Sequence, residues 1–499
     1  MKTELGDNPR WVFHCTGWRF PVFQWRCLWM ALVCAMVFFG GVARSEDLLD
    51  LYRLALDKDP VFLGEKHKHA ASPETLRQAY SELVFTVNAD GSFQRRRQEI
   101  NDTSVTVYGR GLSKYPADIY TITLVQPLLR LGSIVRVKQA LAQVAQADLA
   151  FEASRQDLIM RLVEAYFNAL EARDNLDFAN SELTAVKKHH ELAQGRYSSG
   201  LSPITDFHDA KSRLAEVMAT TVDAQSRLAD ALEGLAEMTG TAPQSLAGVK
   251  PMLSAAPEDA GLPVPGAGQI PGQPSTVVQA NSTSEAAALE GPNPDDMEQW
   301  IAAALKDNLE VAVQRKAVEV ARAEVHRQKS AHAPTLSAVG RVTRDNEGGS
   351  LFGGESDVTT TEGMLQFNIP IFQGFYVVSK TREALALYKA AQENLEKEVR
   401  AVKRLASASF LGVKAAVQNV EAFHQSMISN QIALEAKREG LKSGLLPILP
   451  VLDAERDLHR ARQGFAKAHY AFLLNSLRLK KAVGGLGQDD LVHISQYLQ

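Results

Sequence analysis

The chain carries the same sequence plan twice. A Ser-Gly-Leu-x-Pro-Ile segment around Gly200 in the first half recurs around Gly444 in the second half, at an offset of 244 positions (444 − 200). An Asp-Ala pair follows each copy, at Asp209 and at Asp453. Self-similarity at a fixed period is the mark of a repeated structural unit. We therefore expect each half to contain a short helix, a strand, a loop, a strand, a long helix, a turn and a second helix, in that order.

The duplication divides the chain into two repeats and a connecting segment. We predict a first repeat at 44–240, a second at 295–487 and a short C-terminal tail at 488–499. Residues 241–294 are rich in Pro, Gly and Ser and show no hydrophobic period, so they predict a poorly ordered linker.

The first 43 residues predict a secretory signal peptide. Lys and Arg residues precede an apolar run from Cys27 to about Val42, and Gly41 and Ala43 are the small residues that signal peptidase requires. A permanent membrane anchor is the alternative, but roughly 16 apolar residues are fewer than the ~20 of a spanning helix. The signal segment also contains all three cysteines of the chain, so the mature protein would carry no thiol: Cys15, Cys27 and Cys34.

Two helical hairpins are predicted, turning at 200–205 and at 444–450. Their first helices run from about 133–194 and 375–440, and some 60 residues at ~1.5 Å each make a rod on the order of 90 Å long. Their second helices carry heptad seams. These seams consist of Phe207, Ala210, Leu214, Val217, Thr221, Ala224, Leu228, Ala231, Leu235 and Met238, and of Val451, Ala454, Leu458, Ala461, Phe465, Ala468, Phe472, Asn475, Leu479 and Ala482. On the helices alone, an ordinary structural coiled coil remains equally possible.

Alternation of apolar and polar residues predicts four strands, at about 84–94, 118–126, 335–344 and 360–369. Such dyads are typical of a barrel wall between lipid and water, although a soluble sandwich could use them too. Four strands cannot close a barrel. Two copies would give eight strands around a filled interior, whereas three would give twelve around an aqueous lumen. The loops from Gln94 to Ala117 and from Asp345 to Asp357 would then lie outside the cell.

Four segments resemble the TolC family of outer-membrane channels, and most closely its members in type I protein secretion. They are Glu164 to Leu170, Gly200 to Asp206, Gly444 to Leu458 and Ala468 to Asn475. The resemblance implies a membrane β-barrel joined to an all-α tunnel. It implies a homotrimer with a twelve-stranded barrel and a twelve-helix barrel, in the outer membrane of a Gram-negative bacterium and extending into the periplasm. Such a protein is a passive exit duct for secretion or multidrug efflux, and not an enzyme.

The resemblance also implies partners at the hairpin tips. A periplasmic adaptor protein and an inner-membrane transporter, driven by ATP (an ABC transporter) or by protons, would dock there. The expected docking residues are Gly200, Leu201, Pro203, Gly444, Leu445 and Pro447.

The predicted periplasmic entrance departs from the family pattern. The basic residue of the second tip is replaced by Leu446 and the first of two acids by Pro450, while the second acid is kept as Asp453. The arginine-carboxylate links that resemblance would place there, including one to Asp206, cannot form. We therefore expect closure through apolar contacts among Leu441, Leu446 and Leu449, with Asp453 forming one acidic ring.

No catalytic constellation, metal site or cofactor fingerprint stands out in the sequence. His67 with His69, and His189 with His190, lack third ligands at suitable spacing, so we interpret them as histidines on solvated helix faces. A net charge of −4 gives no reason to expect nucleic acid binding. The alternatives to a channel are a periplasmic coiled-coil adaptor or structural envelope protein, and an envelope enzyme or binding module.

Overall fold

The computed structural model describes residues 47–100, 111–243, 245–248, 289, 291–349, 354–447, 449–496 and 498. The predicted signal peptide at 1–43 and residues 249–288 of the predicted linker lie outside the described residues. In the first half the described elements are α1 (Leu48–Lys58), α2 (Pro60–Ser81), β1 (Thr86–Ile100), β2 (Gly111–Leu129), α3 (Leu131–Ser198) and α4 (Ile204–Thr239).

The second half repeats this order of elements. It consists of α5 (Met297–Asp307), α6 (Leu309–Lys329), a 3₁₀ turn (Ser330–His332), β3 (Thr335–Glu347), β4 (Ser356–Asn368), α7 (Tyr376–Lys442) and α8 (Leu449–Ala482). The helix α9 (Gln488–Ser495) follows it. Each repeat thus has two shorter helices before its strands, where the sequence predicted one.

An acid or amide separates the two shorter helices in each repeat. The Asp59 carboxylate accepts from the backbone N–H groups of Val61 and Phe62 and so caps α2. In the second repeat the Asn308 side chain caps α6 in the same way, by accepting from the N–H of Val311 at 3.1 Å. Such caps satisfy donors that the first helical turn leaves free. Asp59 and Asn308 are both buried, and Arg161 of α3 contacts Asp59 at 2.6 Å.

The main hydrophobic core lies where the two repeats meet. Tyr166 and Phe167 of α3 are completely or almost completely buried at its centre, together with apolar residues of α1, α8 and α9. The phenol of Tyr166 donates to the backbone carbonyl of Ala247 at 2.7 Å, and burial raises its pKa above the ordinary value. This core therefore fixes the middle of α3, and with it the base of both hairpins.

The start of the predicted linker is ordered, which corrects the expectation for residues 245–248. Leu246 and Ala247 are buried in the main core. Their backbone carbonyls accept hydrogen bonds from the side chains of Arg173 and Tyr166, both at 2.7 Å. Two buried apolar side chains and two carbonyl acceptors hold this segment, although its sequence shows no hydrophobic period.

Both hairpins pair a very long helix with a shorter one. Helices α3 and α7 contain 68 and 67 residues, so each is about 100 Å long. All twenty residues of the predicted heptad seams are buried or half-buried. Among the helices of the described ranges, none is both long and apolar enough to cross a membrane.

The strands are longer than predicted. The pairing of β1 with β2 continues to Ile100 and Gly111, beyond the predicted ends at 94 and 118. Alternation fails at the consecutive arginines Arg95 to Arg97, but an antiparallel ladder satisfies backbone groups whatever the side chains are. Much of the segment that was predicted as an external loop is therefore a continuation of the hairpin.

Candidate functional site

The four strands form one antiparallel sheet in the order β1-β2-β3-β4. The pairing of β2 with β3 joins the two repeats, through register partners such as Ile122 and Val342. Strands β1 and β4 are the edges, and each presents one row of backbone N–H and C=O groups that no strand of the described residues pairs. Such edges tend to pair with another chain.

One face of the sheet is apolar and exposed. The register brings Ala89, Ile122 and Val342 into one row across the strands. Other exposed apolar residues of this face are Val87, Leu124, Leu365 and Phe367. An apolar surface of this extent marks contact with a membrane or another protein.

The opposite face of the sheet is polar. Its central row contains Asn88, Thr123, Arg341 and Glu362, with Arg341 and Glu362 3.9 Å apart. Thr121 and Thr343 face each other in the next row, with their hydroxyl oxygens at 3.5 Å. A sheet with one apolar and one polar face is the pattern of a barrel wall that separates lipid from water.

Aromatic rings lie near both ends of the apolar face. Phe93 and Tyr120 make an edge-to-face contact at 5.8 Å near one end, where Arg344 pairs with Asp357 at 2.6 Å and charge begins. At the other end Phe372 and Phe375 make an edge-to-face contact at 5.4 Å, and both rings are exposed. Aromatic girdles of this kind flank the ~25 Å apolar band of outer-membrane barrels.

Both hairpins turn through the same backbone motif. Gly200 and Gly444 follow the long helices with φ of 70° and 71°, in the left-handed region that favours glycine. The next N–H, of Leu201 or Leu445, donates to the carbonyl five residues earlier, at 2.8 and 2.9 Å. This is a Schellman motif, which ends a helix at a fixed place. The repeated Ser-Gly-Leu sequence therefore sets where each tip lies.

The apolar residues at the tips are exposed. Leu201 is 78% and Leu445 is 81% exposed, although a Schellman motif commonly folds this side chain back onto its helix. Pro203 and Pro447 are exposed beside them. The predicted docking residues thus lie together at each tip, and two leucines are free to contact another protein.

Three of the predicted entrance residues make contacts within their own hairpin. Leu441 packs against the cluster of Leu434 and Val451, and Leu446 lies over Gly440, where an added Cβ would come within 2.7 Å of it. Asp453 is paired with Arg456, one turn further along α8, at 3.1 Å.

The structure places the other three predicted entrance residues at the starts of α4 and α8. Asp206 lies exposed in the first turn of α4, and Pro450 is half-exposed in that of α8. Leu449 begins α8, and its side chain lies outside the described residues.

A series of polar contacts that the sequence did not predict joins α3 to α8. Acids on α3 are paired with bases on α8 at 2.7 to 3.3 Å. These pairs are Asp157 with Lys481, Glu164 with Arg478, and Glu171 with Lys467. The three acids are seven residues apart and so lie on one face of α3. We call these three pairs, together with a contact of His189 with Glu455 nearer the tips, the α3–α8 ladder.

The last contact of the ladder reverses its polarity. His189 on α3 faces Glu455 on α8, with Nε2 and Oε2 3.6 Å apart, and Arg438 of α7 reaches the other carboxylate oxygen at 2.8 Å. The nearby imidazole of His189, followed by the guanidinium of Arg438, holds the pKa of Glu455 below its ordinary value, although burial opposes this. Burial lowers the pKa of His459, one turn further on, and the Arg462 charge adds to this effect.

The interpretation of His189 as a solvated histidine was therefore wrong, because it is 15% exposed at a contact between helices. His69 is also engaged, with Asp148 at 2.9 Å, whereas His67 is exposed. A repeated heptad of acids on α3 was visible in the sequence. Its partners on α8 lie some 300 positions away, and no local pattern pairs them.

A family model described as outer membrane efflux protein matches residues 51–241 and 300–485, which are the two repeats and well over half of the chain. The chain is 28% identical over 457 residues to the outer membrane protein TolC of Vibrio cholerae, covering 91% of this chain and 94% of that protein. It is 24% identical to the alkaline protease secretion protein AprF of Pseudomonas aeruginosa, covering 89% of this chain and 85% of the relative.

The fold is shared with solved structures. The crystal structure of the Campylobacter jejuni CmeC outer membrane channel superposes with a TM-score of 0.70 at 15% sequence identity, covering 91% of this chain and 90% of that one. At this identity the likeness concerns the fold.

Proposed function

The chain belongs to the outer membrane efflux protein family, and we propose that three copies of it build one channel with a twelve-stranded barrel and a twelve-helix tunnel. The protein is an outer-membrane exit duct for efflux or secretion that extends into the periplasm, and it is not an enzyme. The resemblance to the TolC family that the sequence indicated is confirmed.

The four-stranded sheet carries the proposal of an oligomer. Its apolar face is suited to lipid, yet β1 and β4 each leave one row of backbone groups without a partner. Unpaired backbone groups cost several kcal/mol each in the hydrocarbon region, so an open sheet cannot stay there. Pairing of β4 in one copy with β1 in the next removes every edge.

The size of the barrel favours three copies. Eight strands would enclose an interior that side chains fill, whereas twelve leave an aqueous passage. A polar inner face with Asn88, Arg341 and Glu362 requires such a passage, because these groups would otherwise be buried. The four long helices α3, α4, α7 and α8 of each copy then contribute twelve helices to the tunnel.

Cysteine trapping in outer membranes tests the arrangement directly. Because the chain's three cysteines all lie in the predicted signal peptide, introduced thiols would report without background. Ala89→Cys on β1 would be combined in turn with Thr359→Cys, Thr361→Cys and Gly363→Cys on β4. We expect oxidation to give a covalent trimer for one combination, with Ala89→Cys alone as the control. The proposal would be overturned if only monomers were found, or if the cross-linked products stopped at dimers or extended beyond trimers.

Conductance tests the channel itself. The purified protein, added to a planar lipid bilayer, should open long-lived ion-conducting channels that vanish when the sheet edges are blocked by Val87→Pro and Thr360→Pro. A protein that never permeabilises the bilayer would refute a channel.

We further propose that a periplasmic adaptor and an inner-membrane transporter, of the ABC or proton-driven type, engage the hairpin tips. The exposed Leu201 and Leu445 support this, since covering an exposed apolar side chain with a partner is favourable. Leu201→Ser with Leu445→Ser should abolish co-purification of the adaptor and leave conductance in lipid unchanged. If the adaptor still co-purified with this variant, the docking surface would lie elsewhere.

A further inference from the structure

The contact between His189 and Glu455 differs from the rest of the α3–α8 ladder. Its side chains are 15% and 11% exposed, whereas the acids of the other pairs are 33% to 48% exposed. Charge pairs interact more strongly where water is excluded. It also lies nearest the tips, with His189 eleven residues before Gly200 and Glu455 eleven after Gly444. Any separation of the two hairpins at the tips must therefore break it.

The geometry is incomplete as long as the imidazole does not donate. Glu455 Oε2 and His189 Nδ1 are buried without a hydrogen-bond partner in the described part of the chain, and Nε2 stops 3.6 Å from the carboxylate. A buried acceptor without a donor costs free energy. A neutral imidazole donates from only one of its two nitrogens. Protonation of His189 adds a positive charge and makes both nitrogens donors, so that the one facing Glu455 donates in every case.

From this geometry we propose that His189 and Glu455 form a proton-operated latch between the two hairpins, which holds the periplasmic entrance closed when His189 is charged. The latch rests on the proposed channel function, because it needs an entrance at the tips. Histidine side chains in general change their charge between pH 5 and 8, whereas lysine and arginine side chains in general stay charged there. The latch is therefore the pH-sensitive part of a ladder that is otherwise permanently charged.

The neighbouring charged groups set the direction of the response. Arg438 on α7 is a cation that contacts Glu455 at 2.8 Å, on the carboxylate oxygen that His189 does not face. Glu182 on α3 is engaged by Arg213 of α4 at 2.6 Å. On α8, His459 lies close enough to Glu455 to feel its charge, and that of Arg462. Protonation of His189 strengthens a contact that the closed arrangement makes and the open one lacks, so acidification favours closure.

Single-channel recording of the full-length protein between pH 8 and pH 6 tests the latch. We expect the ratio of open to closed time to fall at least about fivefold in this range, the size of a typical coupling between two sites. His189→Gln should give a flat profile near the open value, because glutamine never carries a charge. His189→Lys should give a flat profile near the closed value. Glu455→Gln removes the anion and should also flatten the response, which keeps the test intact if one histidine variant does not assemble.

The matched control is His208→Gln, since His208 is an exposed histidine in the same tip region without an ion-pair partner among the described residues. It should retain the wild-type pH profile. A wild-type profile that is flat, or one that persists in His189→Gln, would overturn the latch while leaving the channel in place. Absence of any conductance would refute the channel, and the latch with it.

Discussion

Tyr470 Oη donates a hydrogen bond of 2.5 Å to Asp174 Oδ2, and this bond joins the second repeat to the first. The ring of Tyr470 also stacks on Phe167 with centroids 5.5 Å apart. Burial raises the pKa of both groups, that of the phenol and that of the carboxyl. This contact therefore fastens the second repeat to the first.

Tyr470→Phe should destabilise the contact between the repeats by about 1–3 kcal/mol, because it leaves the Asp174 carboxyl in place without its donor. The measurement is urea unfolding followed by tryptophan fluorescence. The double variant with Asp174→Leu should recover part of the loss, since no unpaired carboxyl remains. If the loss of stability in the double variant equalled the sum of the losses in Tyr470→Phe and Asp174→Leu, a direct bond between the two side chains would be contradicted.

Gly484→Ala should be far more harmful than Gly485→Ala. Gly484 has φ of 77°, and a Cβ there would collide with the backbone carbonyl of Asp307, whereas Gly485 meets nothing nearer than 3.9 Å. Left-handed strain alone costs about 1–3 kcal/mol in a residue other than glycine. Thermal unfolding of both variants checks this. A similar midpoint for the two would mean that the backbone after α8 shifts enough to accommodate the added methyl group.

The two faces of the sheet should respond oppositely to charge. Ile122 is exposed on the apolar face, and the adjacent Thr123 lies on the polar face. Arginine on the lipid side of a barrel costs about 2–4 kcal/mol near the middle of the membrane, while lumen positions tolerate it. Ile122→Arg should therefore reduce the amount of protein that is assembled in outer membranes, and Thr123→Arg should not. If Thr123→Arg reduced assembly and Ile122→Arg did not, the assignment of the two faces would be reversed.

Stability should fall as the pH drops below about 6.5. Burial lowers the pKa of His469, and the nearby His424 charge lowers it further, although a hydrogen bond to the Phe465 carbonyl opposes this. The unfolded chain then binds the proton more readily, so the stability is present above the ordinary histidine pKa and is lost as the pH falls towards the folded value. Melting temperatures from pH 8 to pH 5 should decline less in His469→Gln. His67→Gln, at an exposed site, should follow the wild type.

Much of the architecture is written in local patterns. The heptad seams, such as Leu235 and Leu479, are found as predicted because a 3.5-residue period fixes one helix face whatever it packs against. The alternation from Phe85 to Phe93 likewise assigned the faces of β1. Outside these patterns the prediction weakened. The order of residues 245–248 depends on donors from Tyr166 and Arg173, more than 70 positions earlier in the chain.

The candidate site was predicted less completely than the fold. Tip residues such as Gly200 were found from the repeated motif, since a Schellman turn has a sequence signature. The His189–Glu455 contact was missed because it depends on how the two hairpins align. Asp453 was identified, but its partner Arg456 was not considered.

The ion pair of Asp453 with Arg456 allows the proposed acidic ring to be tested by two substitutions that should change ion selectivity in opposite directions. Asp453 lies 3.1 Å from Arg456, which also contacts Asp457 at 3.2 Å, so the guanidinium offsets part of the negative charge. Three copies of Asp453 around an entrance would still attract cations, because charge of one sign concentrates counter-ions. Asp453→Asn should lower the cation-over-anion permeability ratio, and Arg456→Gln should raise it. Reversal potentials in a salt gradient measure both, at low ionic strength where screening is weak. An unchanged ratio in both variants would mean that this acid does not face the ion path.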